Sequence, residues 1–138
     1  VLEYVPAFRS LDELETPAVR GLASDLFDAL DRMHEAGLAH GDLRSENVLV
    51  SDGDLYFIDA TNVREGAITE ARAYDVACAL GVLAPLLGPC QAVLIASDRL
   101  DVSALLEARE FLDFVTVRPD HDFDAAAVKG EIEKRAAE

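Results

Sequence analysis

Val1 to Val5 is a β-prone stretch that stops at Pro6, which predicts a short strand passing into a connector. Ser10-Leu11-Asp12-Glu13 has the spacing of a capping box and can start one helical turn. Thr16 can cap a helix and Pro17 suits its first position; apolar residues then recur at Leu22, Leu26, Leu30 and Met33 until Gly37 offers a stop. One long helix follows, with Asp25, Asp28, Asp31 and Glu35 towards water. The stretch from His40 to Asn47 is polar and irregular. Val48-Leu49-Val50 and Leu55-Tyr56-Phe57-Ile58 flank Asp52-Gly53, which predicts a hairpin, buried because its apolar runs hardly alternate. Thr69 can cap a second helix from Glu70 to about Leu87, rich in Ala, Leu and Val and so central to the core, with Pro85 and Pro89 kinking or ending it. A further helix is expected from about Ser103 to Val115. The segment from about Phe123 is helix-prone but charged, and Lys129 to Glu138 reads as a solvated helix face that could dock on the body.

The length of 138 residues suits a single domain or one lobe of a larger one, and a hydrophobic content of 51% is ample for a core. Twelve Lys plus Arg against 27 Asp plus Glu leave a formal charge of -15, which disfavours binding to nucleic-acid phosphates or anionic membranes through a broad basic face. Only Lys129 and Lys134 are lysines. A surface so rich in carboxylates repels itself at low salt and is tolerated where counter-ions are concentrated, so a salt-adapted, halophilic cytoplasm is expected. No run of about 18 apolar residues is present, and no basic segment followed by an apolar one opens the chain, so a cytoplasmic location is expected. Cys78 and Cys90 sit in apolar, helical surroundings and read as small core residues.

Chemistry concentrates between residues 40 and 75. Asp42 and Asn47 stand at the entrance to the hairpin's first strand and Asp59 at the exit of its second, so the three side chains can converge. A hard cation such as Mg²⁺ takes oxygen ligands from one or two carboxylates and fills its other positions with phosphate oxygens and water. Asn47 and Asp59 can supply such oxygens, leaving Asp42 to accept a proton from an attacking hydroxyl, while Arg44 can offset phosphate charge. Plainer readings stand beside these: a loop-capping carboxylate for Asp42, turn-forming residues for Asn47 and Asp59, a surface ion pair for Arg44. His40 reads as a structural hydrogen-bonding residue rather than a proton shuttle. Asp75, on an apolar helix, needs buried partners to offset its desolvation. His34 and His121 carry no signal beyond packing or solvation.

His40, Asp42, Leu43 and Asn47 resemble the His-x-Asp-Leu-x-x-x-x-Asn catalytic loop of the protein-kinase-like superfamily. Met33-His34-Glu35-Ala36-Gly37-Leu38 is similar to the end of the helix leading into that loop, and Ala73-Tyr74-Asp75-Val76-Ala77 to the buried helix whose aspartate braces it. Leu2-Glu3-Tyr4-Val5 resembles the hinge strand whose backbone contacts adenine, which makes Glu3, Tyr4 and Val5 nucleotide-binding positions by resemblance. The likeness runs over roughly residues 1 to 90, in the right order.

Two departures shape what it implies. Asp59 is followed by Ala60-Thr61-Asn62 instead of Phe-Gly, and only residues 60 to 74 separate Asp59 from Asp75, too few for the activation segment of ordinary protein kinases. That compactness resembles the RIO kinases, the small archaeal kinase of the tRNA threonylcarbamoyl-modification complex, and the aminoglycoside or lipopolysaccharide-core phosphotransferases, with RIO-like first. The second departure is that no Gly-rich loop and no Val-Ala-x-Lys-like element occurs in these residues, so the chain resembles a carboxy-terminal lobe whose amino-terminal lobe is missing. Phosphoryl transfer is mostly positioning plus electrostatics, so this piece alone is expected to show little or no kinase activity.

The resemblance thus implies an α+β, mainly α, fold: a kinase-like carboxy-terminal lobe spanning residues 1–138, with hinge strand 1–5, catalytic loop and metal-binding hairpin 40–59, and helical part 69–138. It implies an ATP- and Mg²⁺-dependent phosphotransferase, a RIO-like serine/threonine kinase, with Asp42 and Arg44 catalytic, Asn47 and Asp59 on the metal, and His40 and Asp75 as support. The expected partners are nucleotide, the missing lobe and a protein or small-molecule phosphoacceptor, with no direct nucleic acid and no membrane. The alternatives are a non-catalytic kinase-like scaffold, a small-molecule phosphotransferase, and an unrelated acidic helical protein.

Overall fold

The computed structural model describes residues 9–36, 40, 43, 48–51, 54–57, 69–116 and 123–137. Strand β1 (Arg9–Ser10) leads into a 3₁₀ turn at Leu11–Glu13 and helix α1 (Thr16–Glu35). Strands β2 (Val48–Ser51) and β3 (Asp54–Phe57) follow, then helices α2 (Thr69–Leu87), α3 (Pro89–Arg99), α4 (Val102–Arg109), α5 (Leu112–Thr116) and α6 (Ala125–Ala136). The fold is mainly helical with one small antiparallel sheet of order β1-β2-β3. No described helix is long and apolar enough to cross a membrane.

Helix α1 buries Val19, Ala23, Leu26, Phe27, Leu30 and His34, a stripe at three- and four-residue spacing. Its start corrects the sequence reading. Glu15 is the N-cap, extended at φ -73° and ψ 153° with no side-chain cap bond, and Thr16 already lies inside the helix. The first turn closes through the Val19 amide on the Glu15 carbonyl at 3.0 Å. At the other end the Ala36 amide reaches the carbonyls of Arg32 and Met33, both at 3.2 Å.

The register pairs Val48 with Phe57, Leu49 with Tyr56, Val50 with Leu55 and Ser51 with Asp54, while Arg9 and Ser10 of β1 pair with Val50 and Leu49. Only part of the hairpin matches the expectation of burial. β2, paired on both sides, buries Val48, Val50 and Ser51; β3, an edge strand among the described residues, alternates, with Asp54 and Tyr56 outward and Leu55 and Phe57 half-buried. The strand β1 was not anticipated, and the strand expected at Val1 to Val5 lies outside the described residues.

Helix α2 is buried on nearly every side from Ala73 to Ala84. It runs two residues past Pro85 and stops at Leu87. Gly88, at φ 91° and ψ 150°, makes the turn in a region that side chains rarely adopt, with its amide on the Ala84 carbonyl at 2.8 Å. Pro89 then opens α3, a separate helix where the sequence suggested only the end of one. The single helix expected over 103–115 is two. The amides of Glu110 and Phe111 bond three residues back, to Glu107 and Ala108, and this tighter turn redirects the chain so that Leu112 and Val115 are buried. Asp101 and Asp124 cap α4 and α6 through the amides of Ala104 and Ala127, at 3.0 and 3.1 Å. Val128 and Ile132 dock α6 on the body, against α3, α4 and α5. Cys78 is buried as expected, whereas Cys90, in the first turn of α3, is exposed.

Candidate functional site

Asp75 sits in the second turn of α2 and is fully buried. A carboxylate there is stable only if donors replace its lost water. Two are in place on Oδ2: the ring Nε2 of His34 at 2.9 Å and the backbone amide of His40 at 2.7 Å. The His34 carbonyl, near the carboxy end of α1, accepts from Arg72 Nη2 at 2.9 Å, one turn before Asp75. The last turn of α1 and the chain at residue 40, neighbours in sequence, are thereby tied to the first turns of α2, 35 to 41 residues further on.

The side chain of His40 is also fully buried, and its ring meets that of Phe57 edge to face, with centroids 5.8 Å apart and planes at 78°. Phe57 is the last residue of β3 and pairs with Val48, the first of β2. Leu43 is buried in the core cluster. The two described positions that bracket Gly41-Asp42 are therefore anchored, one by a carboxylate and a ring, the other by apolar packing.

Of the positions singled out in the sequence, His40 and Asp75 are brought together. Glu3, Tyr4, Val5, Asp42, Arg44, Asn47 and Asp59 lie outside the described residues. Among the described residues no group of three His, Cys, Asp or Glu side chains could hold a metal ion. The residue that sequence reasoning passed over is His34. Its signal was present: four residues after Leu30, it continues the buried stripe of α1, and a histidine on a buried stripe needs a polar partner, as does an aspartate on an apolar helix.

Residues 1–74, more than half of the chain, match the family described as the RIO domain. Over 79 residues the chain is 29% identical to the KEOPS complex subunit Bud32 of Pyrococcus abyssi, covering 55% of this chain and 36% of that protein. It is 45% identical over 38 residues to a probable bifunctional tRNA threonylcarbamoyladenosine biosynthesis protein of Methanothermobacter thermautotrophicus, covering 28% of this chain and 7% of that protein. A third relative is the serine/threonine-protein kinase ppk21 of Schizosaccharomyces pombe, 36% identical over 56 residues, 41% of this chain and 9% of that one. The chain thus spans about a third or less of the curated relatives it matches. With the family match covering residues 1–74, more than half of its length, the chain belongs to the RIO family of protein-kinase-like proteins.

Proposed function

We propose that this chain carries the phosphotransfer site of an ATP- and Mg²⁺-dependent, RIO-like serine/threonine kinase. The observation that carries the reading is the hold of Asp75 on the His40 amide, a buried anchor two residues upstream of the proposed base. In this reading Asp42 orients the acceptor hydroxyl and takes its proton as the oxygen attacks the terminal phosphorus of ATP and the bond to the leaving diphosphate breaks. Arg44 offsets charge on the phosphates. The hairpin register supports the metal assignment: Val48 and Phe57 are paired, Asn47 precedes the first by one residue and Asp59 follows the second by two, and each residue spans only about 3.8 Å. An amide oxygen and a carboxylate suit Mg²⁺, which would screen the phosphate charge there. Glu3, Tyr4 and Val5 would contact the adenine through their backbone.

The family's Gly-rich loop and lysine have no counterpart in these residues, so little turnover is expected from these 138 residues alone. The likeness to a protein named as a subunit of the KEOPS complex favours a protein partner. A cytoplasmic, salt-rich setting fits the charge of -15. The test is transfer of the terminal phosphate of ATP by the full-length protein with and without Mg²⁺. Transfer that needs Mg²⁺ and fails in Asp59→Ala is the expected result; no Mg²⁺-dependent nucleotide binding at all would replace this reading with a kinase-shaped binding module.

A further inference from the structure

A cavity of about 450 Å³, lined in part by His34, opens where the end of α1, the start of α2 and the α3–α4 junction meet. Its apolar lining is Ala73, Val76, Leu100 and Ala104, and its charged groups are Asp31, Arg72, Arg99, Asp101 and Glu107. Most of these are already engaged. Asp101 caps α4, Arg72 donates to the His34 carbonyl, and Arg99 faces Asp28 at 3.8 Å. Asp31 and Glu107, both exposed, make no ion pair with a described residue.

We infer that this cavity docks a basic side chain, arginine or lysine, presented by a partner protein. Three acids face two arginines in the cavity, one of those arginines is offset by Asp28, and the chain as a whole carries -15, so the field favours a cationic occupant over an anionic one. The apolar part of the lining suits the aliphatic stem of such a side chain, with its charged end at Asp31 and Glu107. The remaining donors of Arg72 are left for a carbonyl of the partner's backbone. The cavity shares His34 and Arg72 with the network that anchors Asp75, but Asp31 and Glu107, which would hold the charged end, belong to neither that network nor the proposed phosphotransfer site.

The test is an amide-resonance titration of the isotopically labelled full-length chain with three capped tripeptides, Gly-Arg-Gly, Gly-Glu-Gly and Gly-Ala-Gly. The arginine peptide should give saturable shifts at Ala73, Val76 and Ala104, and its affinity should fall about five-fold in the Asp31→Asn/Glu107→Gln double variant. Glu107→Lys, changed at an exposed position and checked for an unaltered melting temperature, should lose affinity likewise, and Glu133→Gln should not. Equal or tighter binding of the glutamate peptide would overturn the inference, as would unchanged affinity in the double variant or shifts that never saturate.

Discussion

Every buried polar or charged side chain among the described residues, His34, His40, Ser51 and Asp75, lies where α1 ends, at the hairpin, or in the first turns of α2. Across the molecule, where α3, α4, α5 and α6 pack on the rest of α2, the buried set is Ala, Val, Leu and Ile with Cys78. The second region is held by apolar burial, which is non-directional and follows volume. The first depends on donors and acceptors in fixed places, where one missing partner strands the others. A site for positioned chemistry is better supported by directed contacts, and the apolar body supplies the rigid platform they are fastened to.

Four changes probe that contrast. Phe27→Ala, at the largest fully buried side chain among the described residues, should cost about 3–5 kcal/mol by urea unfolding; a loss below about 1 kcal/mol would mean that the core is not packed as described. Asp75→Ala leaves the His40 amide and the His34 ring without their buried acceptor and should cost about 3 kcal/mol, and amide exchange at His40 should quicken beyond that global loss. If exchange at His40 rises no more than at α6, Asp75 is not a local anchor. Arg72→Gln removes one charge-assisted bond to the His34 carbonyl at a part-buried position and should cost about 1 kcal/mol by thermal unfolding. Phe114→Ser, at a side chain 63% exposed, should stay within about 0.5 kcal/mol of the parent, and a larger loss would put that ring inside an interface.

The sequence made some of this legible because the signals are local. The stripe of α1, the hairpin around Asp52-Gly53 and the apolar run of α2 each follow from spacing within one segment. What it hid is non-local or unpunctuated. A two-residue strand such as β1 exists only because β2 lies beside it. The break between α4 and α5 has no Gly or Pro to announce it, and Pro89 reads in sequence only as a kink or end of α2, until Gly88 takes positive φ and a new helix starts. Thr16 is a good cap by residue type, yet Glu15 occupies that position without a side-chain bond. At the site, the need of Asp75 for buried partners could be read from its apolar neighbours, but which residues supply them depended on the packing of α1 against α2. His34 was therefore missed until both helices were in place.

The measurement that bears most directly on the central claim is single-turnover phosphotransfer by the full-length protein, wild type against Asp42→Asn, with Mg²⁺·ATP and the melting temperature recorded for both. A base held by the loop that Asp75 anchors predicts a loss of about 10²–10⁴-fold with the melting temperature unchanged. Transfer at the wild-type rate in Asp42→Asn would contradict it and move the chemistry away from this loop.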